Sequence, residues 1–215
     1  MNANAIETKA DADAIKTVGV IGAGQMGSGI AHVLALSGID VRMADVDPKA
    51  LERARQVIDR NLTRQVARGK IGEDAKAAAL RHISGIGAYE GFVDCDVVIE
   101  AATEREDVKR EIYKKLLPHL KPTAILASNT SSISITRLAA ATDRPERFIG
   151  MHFMNPVPVM TLVELIRGIA TDEATFATIR ALAVKLGKTP VAAEDFPAFI
   201  VNRILLPMIN EAVYT

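Results

Sequence analysis

A glycine-rich segment, Gly22-Ala23-Gly24-Gln25-Met26-Gly27, lies between a short apolar run and a helical pattern. The string G-x-G-x-x-G is common, but between a strand and a helix, with an acid about twenty residues later, it is typical of dinucleotide-binding turns. The first glycine permits the tight turn, the second lets the backbone approach a pyrophosphate, and the third lets the helix pack closely. We therefore predict a dinucleotide site that contains Gly22, Gly24, Gln25, Met26 and Gly27.

The acidic residue that this motif requires is Asp45, eighteen positions after Gly27 at the end of a second predicted strand. Its carboxylate is expected to accept hydrogen bonds from the adenosine ribose and to repel a 2′-phosphate. Arg42 is nearby, but it lies inside the strand and is given less weight. The start of the following helix supplies amide donors and a favourable dipole for phosphates. The predicted cofactor is NAD rather than NADP.

Strand-like and helix-like patterns alternate from Thr17 onward. Predicted strands lie at 17–22, 40–45, 83–86, 95–101, 123–128, 147–154, 162–166 and 190–193. Predicted helices lie at 26–36, 48–68, 73–81, 105–120, 135–141, 174–186 and 199–213. This alternation predicts an α/β fold, a Rossmann-like, doubly wound and mostly parallel sheet with helices on both faces. The charged run at 104–111 is expected to be a solvated helix face.

Composition excludes several classes of function. Acidic and basic residues balance at 26 each, which gives no indication of nucleic-acid binding. The single cysteine, Cys95, lies in an apolar stretch and is expected to be a small core residue, which suits a cytoplasmic protein. Residues 1–16 are predicted to be an N-terminal extension without the apolar core of a signal peptide. No run is long enough to span a bilayer, and no metal site is predicted.

Two ionisable side chains occur in apolar runs that predict buried strands. His152 lies in the run Met151–Met154, and Glu164 lies in the run Leu162–Ile166. Prolines between the runs favour a chain reversal, so the second run can return beside the first. A buried carboxylate is costly unless it is paired. The pattern predicts a His152–Glu164 pair, either a general base with an orienting carboxylate or a structural pair.

The position of the polar residues favours the catalytic interpretation. In open α/β sheets, ligands bind outside the carboxyl ends of the strands. The polar residues that follow predicted strands in this chain are Gly22, Asp45, Glu100 with Glu104, the serine-rich segment 128–132, and His152 with Asn155. Their convergence at one edge predicts that His152 lies beside the dinucleotide site.

With these residues identified, the chain resembles the L-3-hydroxyacyl-CoA dehydrogenases, most closely the short bacterial 3-hydroxybutyryl-CoA dehydrogenases. The resemblance runs from about Val18 to the C-terminus. It is carried by the segment 19–27, Val98-Ile99-Glu100-Ala101, Ser128-Asn129-Thr130-Ser131-Ser132, the His152 segment, Leu162-Val163-Glu164 and Phe199-Ile200-Val201-Asn202-Arg203. One departure is Ala198, where the family often has glycine; this change is expected to affect the entry to the last helix and thereby Asn202.

The resemblance implies a role for each matched position. His152 is expected to remove the proton of the substrate 3-hydroxyl, and Glu164 to orient His152. Ser131 and Asn202 are expected to hydrogen-bond the reacting oxygens. Positions that contact NAD in the family match Glu104, Lys109, Ser131 and Asn155. Positions near coenzyme A match Asn61 and Arg68.

The resemblance also implies a domain organisation. Residues 17–195 are expected to form the NAD-binding domain, and residues 196–215 the first helix of an all-helical domain that is truncated here. In the family, that domain forms a homodimer and closes over the acyl-CoA thioester. The expectation from the sequence is a chain that binds NAD but turns over slowly.

The predicted function is oxidation of an (S)-3-hydroxyacyl-CoA, 3-hydroxybutyryl-CoA above all, to the 3-oxoacyl-CoA. A second possibility is the dehydrogenase part of a multifunctional β-oxidation protein, although the early start of the first strand favours a free-standing enzyme. A third is a related sugar-acid dehydrogenase, which tends to lack the residue matched by Phe153. A fourth, from another class, is a non-catalytic NAD-binding or redox-sensing protein, which has no need of the His152–Glu164 pair.

Overall fold

The computed structural model describes residues 12–215. Most of the predicted extension, residues 1–11, lies outside the described residues. The strands are β1 Thr17–Ile21, β2 Asp40–Ala44, β3 Ile83–Gly85, β4 Val97–Glu100, β5 Ile125–Ser128, β6 Phe148–Phe153, β7 Leu162–Arg167 and β8 Thr189–Glu194. The α-helices are α1 Gln25–Leu36, α2 Pro48–Ala67, α3 Glu73–Arg81, α4 Glu106–Leu116, α5 Ile135–Ala139, α6 Glu173–Lys185 and α7 Val201–Tyr214. Short 3₁₀ helices occur at Ala12–Ala14, Tyr89–Phe92, Leu117–His119 and Pro145–Arg147.

The eight strands form one sheet in the order β3-β2-β1-β4-β5-β6-β7-β8. Strands β1 to β6 are parallel, β7 runs antiparallel to β6, and β8 is parallel to β7. The chain leaves β1 toward β2 on one side and resumes with β4 on the other, so the strand order reverses beside β1. A crevice for ligands forms at this point, outside the carboxyl ends of the strands. The predicted Rossmann-like, mostly parallel sheet is confirmed.

Helices cover both faces of the sheet because strand side chains alternate between the faces. Val18 and Val20 of β1 pack in one core with residues of α1, α2, α3 and α6. Val98 and Leu126, from the next two strands, pack in a second core with residues of α4 and α5. The strands are apolar on both sides for this reason, which explains the nearly continuous apolar runs in the sequence.

Two of the helices that differ from their predicted bounds do so for clear local reasons. The helix predicted at 105–120 ends at Leu116 and continues as a 3₁₀ turn that contains Pro118, since proline lacks an amide donor and clashes with the preceding turn. The last helix begins at Val201 rather than at Phe199, because Ala198 and Phe199 both have positive φ. The predicted boundary between the NAD-binding domain and the helical domain falls just before this turn and stays a prediction.

Three further features bear on the sequence predictions: the environment of Cys95, the length of the apolar helices, and the grouping of metal-binding side chains. Cys95 is buried, and burial raises the pKa of its thiol to about 12, so it behaves as the predicted core residue. Within residues 12–215 no helix is both long and apolar enough to cross a membrane. The same part of the chain holds no cluster of three or more His, Cys, Asp or Glu side chains suited to a metal ion.

Candidate active site

The glycine-rich turn between β1 and α1 has the backbone that the motif predicts. Gly22 has φ of +100°, and a Cβ at this position would lie 2.5 Å from the carbonyl oxygen of Ala101. A Cβ at Gly27 would lie 1.8 Å from the carbonyl oxygen of Gly22, so only glycine lets α1 start this close to β1. At Gly24 a Cβ would meet no heavy atom within 4 Å. The turn thus leaves an open approach to the first amides of α1, which have no intrahelical partner.

Asp45 follows β2 beside this turn. Its Oδ2 accepts the amide of Ala23 at 2.7 Å, and its Oδ1 accepts the amide of Asp47 at 2.9 Å. These bonds hold the carboxylate at the crevice. Arg42, by contrast, forms an ion pair with Asp94 and is absent from the cavity lining. The charge beside the turn is therefore that of Asp45, which suits a free ribose 2′-hydroxyl better than a 2′-phosphate.

A cavity of about 860 Å³ opens at this edge of the sheet. Gly22, Gly24 and Asp45 line one end of it. Its apolar lining was not identified from the sequence, and includes Ile86, Tyr89, Val108 and Ile112. The sequence offered a signal for Ile86, because it stands at the carboxyl end of a strand. It offered none for Val108 and Ile112, because both lie in a helix that was predicted to be charged. Size and lining fit the adenosine half of a dinucleotide, an apolar base with a polar ribose and phosphates.

The start of α1 and the loop after β6 are in contact. Gln25 Nε2 donates to Asn155 Oδ1 at 3.1 Å. Met26, the next residue of the motif, is half-buried and packs against the core. The peptide bond between Asn155 and Pro156 is cis. The contact brings two residues predicted to bind the cofactor, 130 positions apart in sequence, to the same edge.

Glu104 organises the loop that follows β5. Its Oε1 accepts hydrogen bonds from the Thr130 hydroxyl at 2.8 Å, from the Ser131 amide at 2.7 Å and hydroxyl at 2.9 Å, and from the Ser132 hydroxyl at 3.0 Å. Burial opposes ionisation, but these hydrogen bonds and the charge of Lys109 hold the pKa of Glu104 below its usual range. Glu104 therefore fixes Ser131 as well as lying where a cofactor contact is predicted.

Lys109 differs from its expected setting on a solvated helix face. Its side chain is 1% exposed, and its Nζ lies 2.7 and 2.8 Å from the two carboxylate oxygens of Glu100. Tyr113 and Ser128 donate to the same carboxylate, at 3.0 and 2.8 Å. The expectation of solvation is wrong at this position, because the carboxyl end of β4 supplies a buried acceptor. Lys109 Nζ is 3.8 Å from Glu104 Oε2, and its contact with NAD stays a prediction.

His152 and Glu164 are directly opposite each other in the antiparallel pair β6–β7. His152 Nδ1 lies 2.7 Å from Glu164 Oε2, and Glu164 is 1% exposed. Glu164 Oε1 accepts the amides of Ile200 and Val201, each at 2.9 Å. Burial opposes ionisation of Glu164, but the bond to His152 and the two amides hold its pKa below the usual range. The predicted pairing is confirmed; its catalytic role stays a prediction.

Ser131 and Asn202 meet at this edge from two different segments. Asn202, in the first turn of α7, donates through Nδ2 to the backbone oxygen of Ser131 at 3.3 Å. Both residues are half-buried. A second side-chain-to-backbone hydrogen bond fixes the neighbouring loop, since Asn129 Oδ1 accepts the amide of Phe153 at 2.9 Å. Asn129 belongs to the polar segment 128–132 identified from the sequence, but no individual role was predicted for it.

A second cavity, of about 590 Å³, contains both residues matched to coenzyme A positions. Asn61 and Arg68 line it together with Arg64, Lys70 and Lys188. Four cationic side chains around one cavity suit an anionic group. Lys188 reaches across to the loop after β6, where it donates to the backbone oxygens of Val157 and Met160.

The fold and these contacts define a dinucleotide-binding protein of the Rossmann type with a histidine–carboxylate pair at the cofactor edge. A sequence model of the family described as "3-hydroxyacyl-CoA dehydrogenase, NAD binding domain" matches residues 17–196. The chain therefore belongs to the 3-hydroxyacyl-CoA dehydrogenase family, and NAD is its cofactor.

Individual relatives agree with this assignment. A 3-hydroxybutyryl-CoA dehydrogenase from Bradyrhizobium diazoefficiens is 63% identical over 201 residues, which are 94% of this chain and 69% of that protein. A probable 3-hydroxybutyryl-CoA dehydrogenase from Bacillus subtilis is 52% identical over 200 residues, 93% of this chain and 70% of that protein. The crystal structure of (S)-3-hydroxybutyryl-CoA dehydrogenase from Ralstonia eutropha superposes with a TM-score of 0.90 at 50% identity, covering 92% of this chain and 70% of that one.

Proposed function

We propose that this chain oxidises (S)-3-hydroxyacyl-CoA thioesters to 3-oxoacyl-CoA thioesters with NAD, and that 3-hydroxybutyryl-CoA is its preferred substrate. One observation carries the proposal: the 2.7 Å bond between His152 Nδ1 and Glu164 Oε2 at the edge that also holds the dinucleotide turn. A carboxylate accepts only, so Nδ1 carries the proton in this bond and Nε2 of the neutral ring keeps a free lone pair. A proton acceptor therefore lies where a hydride acceptor binds.

In the proposed reaction, the proton of the O–H bond and the hydride of the C–H bond go to two different acceptors. His152 Nε2 takes the proton of the 3-hydroxyl, and the electron pair of that bond forms the carbonyl of the product. Bound NAD would supply the acceptor for the hydride that leaves the carbon bearing this hydroxyl. The ring becomes an imidazolium, and the ionised Glu164 at Nδ1 stabilises that charge. Ser131 and Asn202 hold the reacting oxygens in this proposal, with Ser131 fixed by Glu104.

We further propose that Asn61 and Arg68 bind the phosphate-bearing end of coenzyme A. The support is the cavity that they share with Arg64, Lys70 and Lys188. Guanidinium groups match phosphate oxygens in a bidentate manner. We also propose that the protein assembles as a homodimer through helical segments, which the exposed apolar surface of α7 supports. A cytoplasmic location is proposed as well, and the single unpaired cysteine supports it.

The decisive experiment compares wild type with His152→Gln in the formation of NADH from 3-hydroxybutyryl-CoA and longer acyl-CoA substrates. Loss of a general base lowers kcat by roughly two to four orders of magnitude, while NAD affinity stays within about twofold. His119→Gln, at a partly exposed histidine that lines neither of the two cavities, is the matched control. A variant with wild-type kcat refutes the proposal. Binding of NAD without oxidation of any thioester favours a non-catalytic NAD-binding protein instead.

A further inference from the structure

The entry to α7 contains an unusual backbone turn. In residues 12–215, Ala198 and Phe199 are the non-glycine residues with positive φ, at +68° and +49°. Side chains disfavour this region because Cβ approaches the carbonyl oxygen, and such conformations persist only where the surroundings hold them. Phe199 is held by burial, with 3% of its surface exposed. The turn is therefore maintained by contacts rather than by local preference.

The turn sets the direction of the next two backbone amides. Ile200 and Val201 both donate to Glu164 Oε1 at 2.9 Å, while Glu164 Oε2 accepts from His152. One buried carboxylate thus joins the proposed base to the first turn of α7. The Phe199 ring also lies beside the imidazole, with 6.1 Å between centroids.

Helix α7 has no buried side chain within its own bounds. Its hydrogen bonds to other elements lie at its start, where Glu164 accepts the amides of Ile200 and Val201 and Asn202 donates to Ser131. On the other side of the turn, Asp195 accepts the hydroxyl of Ser134 at 2.7 Å and the amides of Ile135 and Thr136 at 2.9 and 2.8 Å. The turn is fixed at one end to α5 and at the other to the proposed catalytic pair.

We propose that the Ala198–Phe199 turn is a positioning element for His152, which acts by keeping the first amides of α7 on Glu164. This inference rests on the proposed function. The amides and the positive end of the helix draw part of the negative charge of Glu164 away from the imidazole. When the turn is displaced, that carboxylate interacts more strongly with the ring, which then keeps its proton to higher pH. A protonated ring cannot act as the base.

Four charged side chains lie on the segments that the hydrogen bonds around the turn connect: Glu164 on β7, Asp195 before the turn, Glu104 at the 130–132 loop, and Arg203 on α7. Glu164 is the one hydrogen-bonded to the imidazole. A shift in the titration of the ring on displacement of the turn is therefore attributed to Glu164.

The test replaces Ala198 by valine, whose branched Cβ strongly disfavours positive φ. Ala198→Val is expected to move the acidic limb of kcat/KM to higher pH by roughly half a unit or more, which lowers kcat/KM about threefold on the acidic side of the limb, with NAD affinity unchanged. Ala198→Gly accepts positive φ and is the conservative rescue, with the wild-type limb. Ala212→Val makes the same substitution on the exposed surface of α7 and is the control.

A second variant keeps the inference testable if Ala198→Val does not fold. Asp195→Asn weakens the attachment of the turn to α5 and is expected to shift the limb in the same direction by a smaller amount. NMR titration of the His152 ring in both variants reports the same shift without turnover. An unmoved limb and ring titration in folded Ala198→Val overturns the inference. If His152→Gln is also fully active, the proposed function fails as well; if His152→Gln is inactive, only this inference fails.

Discussion

Lys109 Nζ lies within 2.8 Å of both carboxylate oxygens of Glu100, and neither side chain is more than 1% exposed. The pair joins α4 to the carboxyl end of β4, beneath the loop that Glu104 holds. The hydroxyls of Tyr113 and Ser128 and the amide of Ala102 also donate to this carboxylate. A buried charge with all of its partners is tolerated, but the loss of one partner leaves an uncompensated charge.

Replacing Lys109 by methionine is therefore expected to lower the free energy of unfolding by about 3–5 kcal/mol. Methionine fills a similar volume but leaves Glu100 unpaired. Urea unfolding followed by circular dichroism measures the effect. Lys114→Met, at an exposed position of the same helix, is the control and is expected to change stability by less than about 0.5 kcal/mol. Equal effects at the two positions would contradict the buried pair.

Asp45 is expected to decide between NAD and NADP. Asp45→Asn keeps an oxygen that can accept the Ala23 amide but removes the charge that repels a 2′-phosphate. NAD affinity is expected to fall about tenfold, as for the loss of one charge-assisted hydrogen bond, while NADP affinity rises. Isothermal titration with both cofactors measures the ratio. Asp74→Asn, exposed in the first turn of α3, is the control. An unchanged ratio for Asp45→Asn would remove Asp45 from the specificity site.

His32, buried in α1, is expected to make stability depend on pH. Burial lowers its pKa from 6.5 to about 4, against the opposing effect of Gln65. Among residues 12–215 its Nδ1 has no hydrogen-bond partner, and Nε2 lies 3.2 Å from Gln65 Nε2. The folded pKa is below the unfolded one, so the contribution is complete above pH 6.5 and is lost as the pH falls toward 4. A pKa difference of this size corresponds to about 3 kcal/mol of stability.

Unfolding free energies of wild type and His32→Gln between pH 7 and 4 measure this contribution. The variant is expected to show a flatter profile, since glutamine does not titrate. His119→Gln, at a partly exposed histidine, is the control for the loss of an imidazole. Parallel profiles for wild type and His32→Gln would show that His32 is protonated in the folded chain as easily as in the unfolded one.

Much of the site could be predicted because its determinants are local. The glycine spacing forces the turn after β1, and Asp45 follows the next strand whatever else the chain does. His152 and Glu164 are joined by a short reversal, so the antiparallel register that pairs them depends on few residues. For Ala198, the family's glycine was a usable signal, and the positive φ at this position explains it.

The sequence by itself determined the alternation of strands and helices, the dinucleotide turn, and the residue types at the carboxyl edge, because these follow from hydrophobic periodicity and glycine spacing. Only the tertiary structure decided which oxygens of Glu164 and Glu104 are occupied, that Lys109 is buried, and that Asp195 fixes the turn before α7. These depend on partners up to 61 positions away. A carboxylate accepts several donors without preference for sequence distance, so packing alone selects them.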